Sequence, residues 1–203
     1  MRSERVRQER AGARARGLGL LQGASTRLLL CVVLLCLCWC SAAASATGTD
    51  PMRALGLQAP KEAVEAPEFS LPDLSGTQLR FTGFRGKLVF LNFFATWCGP
   101  CREEMPGMDR LYRAHREKGF MVLAVNLQES AKTIRPFVES LKLSFPTVMD
   151  TDGAVSREYG VRALPVSFLV GRDGHILWRA IGGRDWESAL SRQYFAKLVA
   201  GTK

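Results

Sequence analysis

The chain has 203 residues, 47% apolar and 23% charged, with 19 Gly and 9 Pro. Those values fit one ordinary globular domain with extra segments and exclude a generally disordered or fibrous chain. The net charge of +9 is concentrated at the start: residues 1–46 hold seven Arg against two Glu, and the remainder holds 21 Lys and Arg against 17 Asp and Glu. The basic excess therefore belongs to a leading segment and not to a binding face of the folded part, so no nucleic-acid partner is expected.

In that leading segment Arg2, Arg5, Arg7, Arg10, Arg14, Arg16 and Arg27 precede an unbroken apolar run from Leu28 to Cys40, and small residues follow from Ser41 to Ala46. Basic, apolar and small regions in that order describe a secretory signal, with Ala42-x-Ala44 and Ala44-x-Ala46 as cleavage sites. The run of 13 residues is short for a hydrocarbon core of ~30 Å at about 1.5 Å per residue. Extended through Ala46 it reaches 19 residues, so a retained membrane anchor over residues 28–46 stays open as the second reading. Cys36 and Cys40 follow the bulky Leu35 and Trp39, which disfavours lipid attachment. Cys31, Cys36, Cys38 and Cys40 read as small hydrophobes inside the run. Basic residues ahead of such a run stay cytoplasmic, which places the rest outside, in the periplasm or on the outer face of the cytoplasmic membrane.

Residues 47–64 read as a polar, proline-containing linker, and one domain is expected over residues 65–203. Phe69, Leu71, Leu79 and Phe81 flank the turn signal Asp73-Leu74-Ser75-Gly76, a hairpin. The nearly continuous apolar run Leu88–Phe94 predicts a buried central strand. A helix should start around Cys98 and Pro100, with Met105, Met108, Leu111 and Tyr112 on its core face and a kink at Pro106. Phe120–Val125 predicts a second buried strand, and Ile134, Phe137, Val138 and Leu141 a one-faced helix. A short strand over 146–149 and a short helix over 154–159 follow. Val166–Val170 and Ile176–Ile181 are strands joined by the turn Gly171-Arg172-Asp173-Gly174. A last helix is expected from about Asp185, as N-cap, to Leu198. The order predicts an α/β fold, a mixed sheet flanked by helices.

Export leaves only two cysteines beyond residue 46, Cys98 and Cys101, too few for a disulfide-stapled scaffold. They sit in Trp97-Cys98-Gly99-Pro100-Cys101, where a strand ends and a helix begins. Unpaired N–H groups and the positive end of the dipole favour a thiolate at Cys98 there. Two intervening residues allow Cys101 to close a disulfide with it. Cys98 is the candidate nucleophile, and Cys101 would resolve the mixed disulfide. Zinc and an inert structural disulfide are the alternatives for any such spacing. Zinc needs about four ligands, and only His115 and His175 are left to complete them. No metal or other cofactor is expected.

The pentapeptide after an apolar strand resembles the active site of the thioredoxin superfamily. Pro67-x-Phe69-x-Leu71-x-Asp73-x-x-Gly76, the stretch Leu91–Pro106, Val161-x-Ala163-Leu164-Pro165 and Asp173-Gly174 are similar to the exported TlpA/ResA/DsbE-like thiol-disulfide oxidoreductases. The resemblance implies a thioredoxin fold with an N-terminal β-hairpin and a helix–strand insert over residues 131–149. It implies that Pro165 is cis and faces the cysteines and that Leu164 offers backbone groups to a substrate; from the residues themselves, Gly99-Pro100 stiffens the loop and leaves little bulk over the sulfurs and Trp97 covers them, so Trp97, Gly99 and Pro100 are candidate substrate-binding residues. Asn92 replaces the buried Asp of cytoplasmic thioredoxin, and Glu104 matches the acid that would take the proton of Cys101. Adjacent Glu103 reads as a solvated glutamate, and Arg102 either as a surface charge or as a source of positive potential beside Cys98.

The expected function is a protein-disulfide reductase acting as a monomer on specific partners, apocytochrome c or copper-chaperone thiols, with electrons from a membrane donor. Two alternatives stand beside it. One is a peroxiredoxin-type thiol peroxidase, although no proline lies between Lys87 and Trp97 and Thr96 is only two residues before Cys98. The other is a non-enzymatic copper chaperone of the same fold.

Overall fold

The computed structural model describes residues 50–201, so the signal or anchor over 1–46 lies outside the described residues. The domain is built on a five-stranded sheet in the order β5-β4-β3-β6-β7. Its strands are β3 (Leu88–Phe94), β4 (Phe120–Leu127), β5 (Thr147–Asp150), β6 (Val166–Val170) and β7 (Ile176–Ile181). β3–β4 and β4–β5 are parallel, and β3–β6 and β6–β7 antiparallel. All seven residues of β3 are buried, as a strand covered on both faces requires.

The side-chain period of two divides β3 between two cores. Phe90 and Phe94 join Met105, Met108, Trp178, Trp186 and Phe195 on one face. Val89, Leu91 and Phe93 join Phe81, Val125, Tyr159 and Phe168 on the other. Asn92 has the parity of Phe90 and Phe94, so it faces the first core. That core is closed by α2 (Gly99–His115), α3 (Ala131–Ser140) and α5 (Ala189–Gly201). The short α4 (Ala154–Glu158) and the hairpin of β1 (Ser70–Pro72) and β2 (Gln78–Arg80) cover part of the second. At the hairpin turn the Asp73 carboxylate accepts from Ser75 N, Ser75 Oγ and Thr77 N, and Gly76 takes φ +91°. The inserted helix and strand expected over 131–149 are α3 and β5.

Two expectations are corrected. The stretch 47–64, read as a linker, packs as part of the domain over its described residues. Asp50 caps α1 (Pro51–Ala54), Leu55 and Leu57 are buried, and Gln58 exchanges both backbone hydrogen bonds with Arg179 of β7. Its polar composition misled because what holds it comes from elsewhere: Leu55 and Leu57 pack in the first core, Arg184 Nε donates to Leu55 O, and Gln58 pairs with Arg179. The last helix starts at Ala189, not at Asp185. Ser188 Oγ accepts from Ser191 N, whereas Asp185 closes a local turn by accepting from Glu187 N. α2 runs on through Pro106 from Gly99 to His115.

Candidate active site

β3 ends at Phe94, and the turn Ala95-Thr96-Trp97 delivers the chain to Cys98, the N-cap of α2. Cys98 and Cys101 are joined in a disulfide, with Cα atoms 5.3 Å apart. Cys101 N donates to Cys98 Sγ at 3.3 Å, so the helix terminus points an N–H at this sulfur. Cys98 is 5% exposed and Cys101 fully buried. Trp97 beside them is 72% exposed and Gly99 and Pro100 are also exposed, so the tryptophan contributes surface and not core. The Leu164–Pro165 bond is cis. Val166 pairs with Phe93, which sets Pro165 at the end of β3 that leads to Cys98. Pro165 O accepts from Gly182 N at 2.8 Å, tying that loop to the end of β7.

One helical turn after Cys101, Glu104 is buried. Three donors from two parts of the chain, the central strand and the loop after β7, meet its carboxyl. Asn92 Nδ2 reaches Oε1 at 2.9 Å, and Arg184 N and Trp186 Nε1 reach Oε2 at 3.1 and 3.0 Å. Asn92 Nδ2 also donates to Ser167 Oγ at 3.0 Å. Burial pushes the Glu104 carboxyl up to about 7, because its charge loses more hydration than the three hydrogen bonds return. Glu103 is exposed. An open groove of about 500 Å³, lined by Pro100, Glu104, Arg184 and Trp186 among others, gives solvent a route to this carboxyl.

The sequence reading missed Trp186, Arg184 and Ser167, which are distant along the chain and carry no motif. It also missed Glu129. The Glu129 carboxylate accepts from Thr96 N at 2.7 Å, Thr96 Oγ1 at 2.5 Å and Asn126 Nδ2 at 2.7 Å, so it pins the turn that presents Cys98. A hydrophilic residue just after a buried strand was the one available signal. Arg102 lies over the Phe137 ring at 4.7 Å, and Phe137 stacks on Phe94. Its charge is thereby held beside the start of α2. His115 and His175 lie apart from the cysteines in the sequence, and no group of three or more metal-ligating side chains occurs among the described residues.

The AhpC/TSA family matches residues 63–179. The thiol-disulfide oxidoreductase ResA of Bacillus thuringiensis is 40% identical over 135 residues, covering 66% of this chain and 77% of that protein. A Chlorobium tepidum structure described as a thiol:disulfide interchange protein DsbE superposes with a TM-score of 0.62 at 35% identity, covering 68% of this chain and 98% of the other. StoA from Bacillus subtilis superposes at 0.54 with 27% identity, covering 63% and 97%.

Proposed function

The chain belongs to the AhpC/TSA family and to the ResA/DsbE-like thiol-disulfide oxidoreductases of the thioredoxin superfamily, and from that premise we propose that it is an exported reductase of specific protein disulfides. The observation that carries the reading is the Cys98–Cys101 disulfide at the N-terminus of α2, where Cys101 N donates to Cys98 Sγ, with the buried Glu104 carboxyl one turn beyond.

In the reduced protein the Cys98 thiolate attacks one sulfur of the partner disulfide. A mixed disulfide forms and one partner thiolate leaves. Glu104 takes the proton of the Cys101 thiol, and Cys101 attacks the Cys98 sulfur. The second partner thiolate leaves, the Cys98–Cys101 disulfide is restored, and two electrons have passed to the partner. In this reading Pro165 faces the sulfurs, Leu164 offers its backbone to the substrate, and Trp97, Gly99 and Pro100 form the docking surface. Heme-binding cysteines of apocytochrome c or copper-chaperone thiols are the partners, and a membrane donor returns the electrons. Residues 1–46 direct export, as a cleaved signal or as a tether. The peroxidase alternative is disfavoured because Thr96 commits its hydroxyl hydrogen to Glu129.

A Cys101→Ala variant, which cannot resolve, tests the reading in the native host. It should accumulate mixed disulfides through Cys98 with a small set of exported proteins. Trapping through Cys101 in a Cys98→Ala variant instead would reverse the roles, and recovery with cytoplasmic partners alone would overturn export.

A further inference from the structure

Three large hydrophobic side chains are exposed among the described residues: Trp97, beside Cys98, and Val64 and Ile181. The last two belong to one feature. Val64 lines a depression of about 390 Å³ and Ile181 one of about 410 Å³, and both depressions share Phe168 and Arg179. They meet on the sheet face where Val166 pairs with Ile181 and Phe168 with Arg179, opposite the face that carries Trp178 and Ala180. The cover on this side is short. Five-residue α4 delivers Tyr159 onto Phe93, Phe168 and Phe69, and the β1–β2 hairpin covers the part beyond it.

The charged side chains that line the groove are of one sign, while exposed Glu62 and Glu158 stand next in the chain to its lining residues Lys61 and Tyr159. Lys61, Arg162 and Arg179 line the groove, and no carboxylate does. Glu65 and Glu68 are held by Arg85. Arg179 gives its Nε–H to the neutral Gln58 Oε1 at 3.1 Å. Cations around an apolar floor attract a segment that carries carboxylates beside apolar side chains. The chain's own leader is the wrong occupant, with seven Arg against two Glu over residues 1–46.

The position of the groove indicates what the segment is part of. Ala163 lines it on one side of Leu164–Pro165 and Val166 on the other, and Val166 pairs with Phe93 at the end of β3 that leads to Cys98. Its edge favours an extended chain. Gln58 already takes the outward backbone N–H and C=O of Arg179, and Val64 O the N–H of Ile176, so by the strand period Ile181 presents the next outward pair, beyond that cover. We propose that this groove docks an acidic, apolar-faced, extended segment of the polypeptide whose disulfide reacts at Cys98. The inference rests on the oxidoreductase reading and adds the chemistry of the partner.

The test uses the full chain and a fluorescent twelve-residue peptide alternating Glu with Val, followed by anisotropy. A Lys-for-Glu peptide and phosphatidylglycerol vesicles are the controls. The Glu peptide should bind in preference to both. Its affinity should fall about tenfold in the Arg162→Glu, Arg179→Glu double variant and survive Arg162→Lys, Arg179→Lys. Should the double Glu variant fail to fold, Arg162→Gln, at an exposed position, is read instead for a smaller loss. Equal binding of the Lys peptide, preference for the vesicles, or an unchanged affinity in the charge-altered variants would overturn the proposal. Reduction of glutathione disulfide by the wild-type protein in its Cys98–Cys101 dithiol form, measured separately, tests the dithiol chemistry alone. Its failure would strike the oxidoreductase reading and not the charge preference of the groove.

Discussion

Asn92 donates its side-chain amide to Glu104 Oε1 at 2.9 Å, joining the central strand to the helix that carries both cysteines. A neutral residue at this place accepts no proton from a thiol, but it supports the acid that can. The carboxyl stands about one turn beyond Cys101, and burial brings it near 7.

Glu104→Gln should therefore slow resolution of the mixed disulfide while leaving the first attack by Cys98 comparatively intact. The pH dependence of resolution near 7 should flatten. Glu103→Gln, at an exposed position about 100° round the helix, should change little. Stopped-flow reduction of a protein disulfide separates the two steps, and equal, negligible effects of both substitutions would remove Glu104 from the proton path.

The same carboxyl sets a stability trend in the oxidised protein. Its folded value lies above its ordinary one, so the folded state holds a proton that the unfolded state releases. Stability from this group is full below about 4.5, declines as pH rises to about 7, and levels off above it. The whole shift corresponds to roughly 3 kcal/mol. Denaturant midpoints taken from pH 4.5 to 8 should fall along this course in the wild type, and the decline should be smaller in Glu104→Gln.

Trp186→Phe removes one hydrogen bond to the Glu104 charge while keeping a ring among Phe90, Trp178 and Phe195. The carboxyl then ionises less readily, and the pH profile of resolution should move upward by about one unit. A downward move would mean that the lost bond favoured the protonated acid.

Glu129→Ala leaves Thr96 N, Thr96 Oγ1 and Asn126 Nδ2 without their shared acceptor. A loss of about 2 kcal/mol is expected, together with slower alkylation of reduced Cys98 as the turn loosens. Thr96→Val should cost less, because the backbone N–H keeps its bond. Thermal unfolding and iodoacetamide kinetics on the two variants check the order.

Gly183→Ala tests the loop packed against Pro100. A Cβ there would sit 3.2 Å from Pro100 Cβ, close enough that the loop or the first turn of α2 must give. A loss of about 1 kcal/mol is expected, with weakening of the Arg184 N–Glu104 bond beside it. An unchanged melting temperature and pH profile would mean that the contact relaxes freely.

What the sequence determined by itself was local. Leu88–Phe94 is apolar at every position but Asn92, the two cysteines are three residues apart at a helix start, and Asp73 and Asp173 stand at their turns; each signal lies within a few residues, where backbone geometry dictates the outcome. Glu104 followed from the helical turn after Cys101 and from the family resemblance. Only the tertiary structure decided what surrounds it. Trp186 and Arg184 come from 82 and 80 residues further along the chain, and Ser167 meets Asn92 from the paired strand β6. Glu129 reaches Thr96 from the end of the neighbouring strand. The segment around Gln58 reads as a linker until β7 offers it an edge. The desolvation that lifts a carboxyl belongs to a volume enclosed by several elements, so its size depends on packing that residue order alone leaves open.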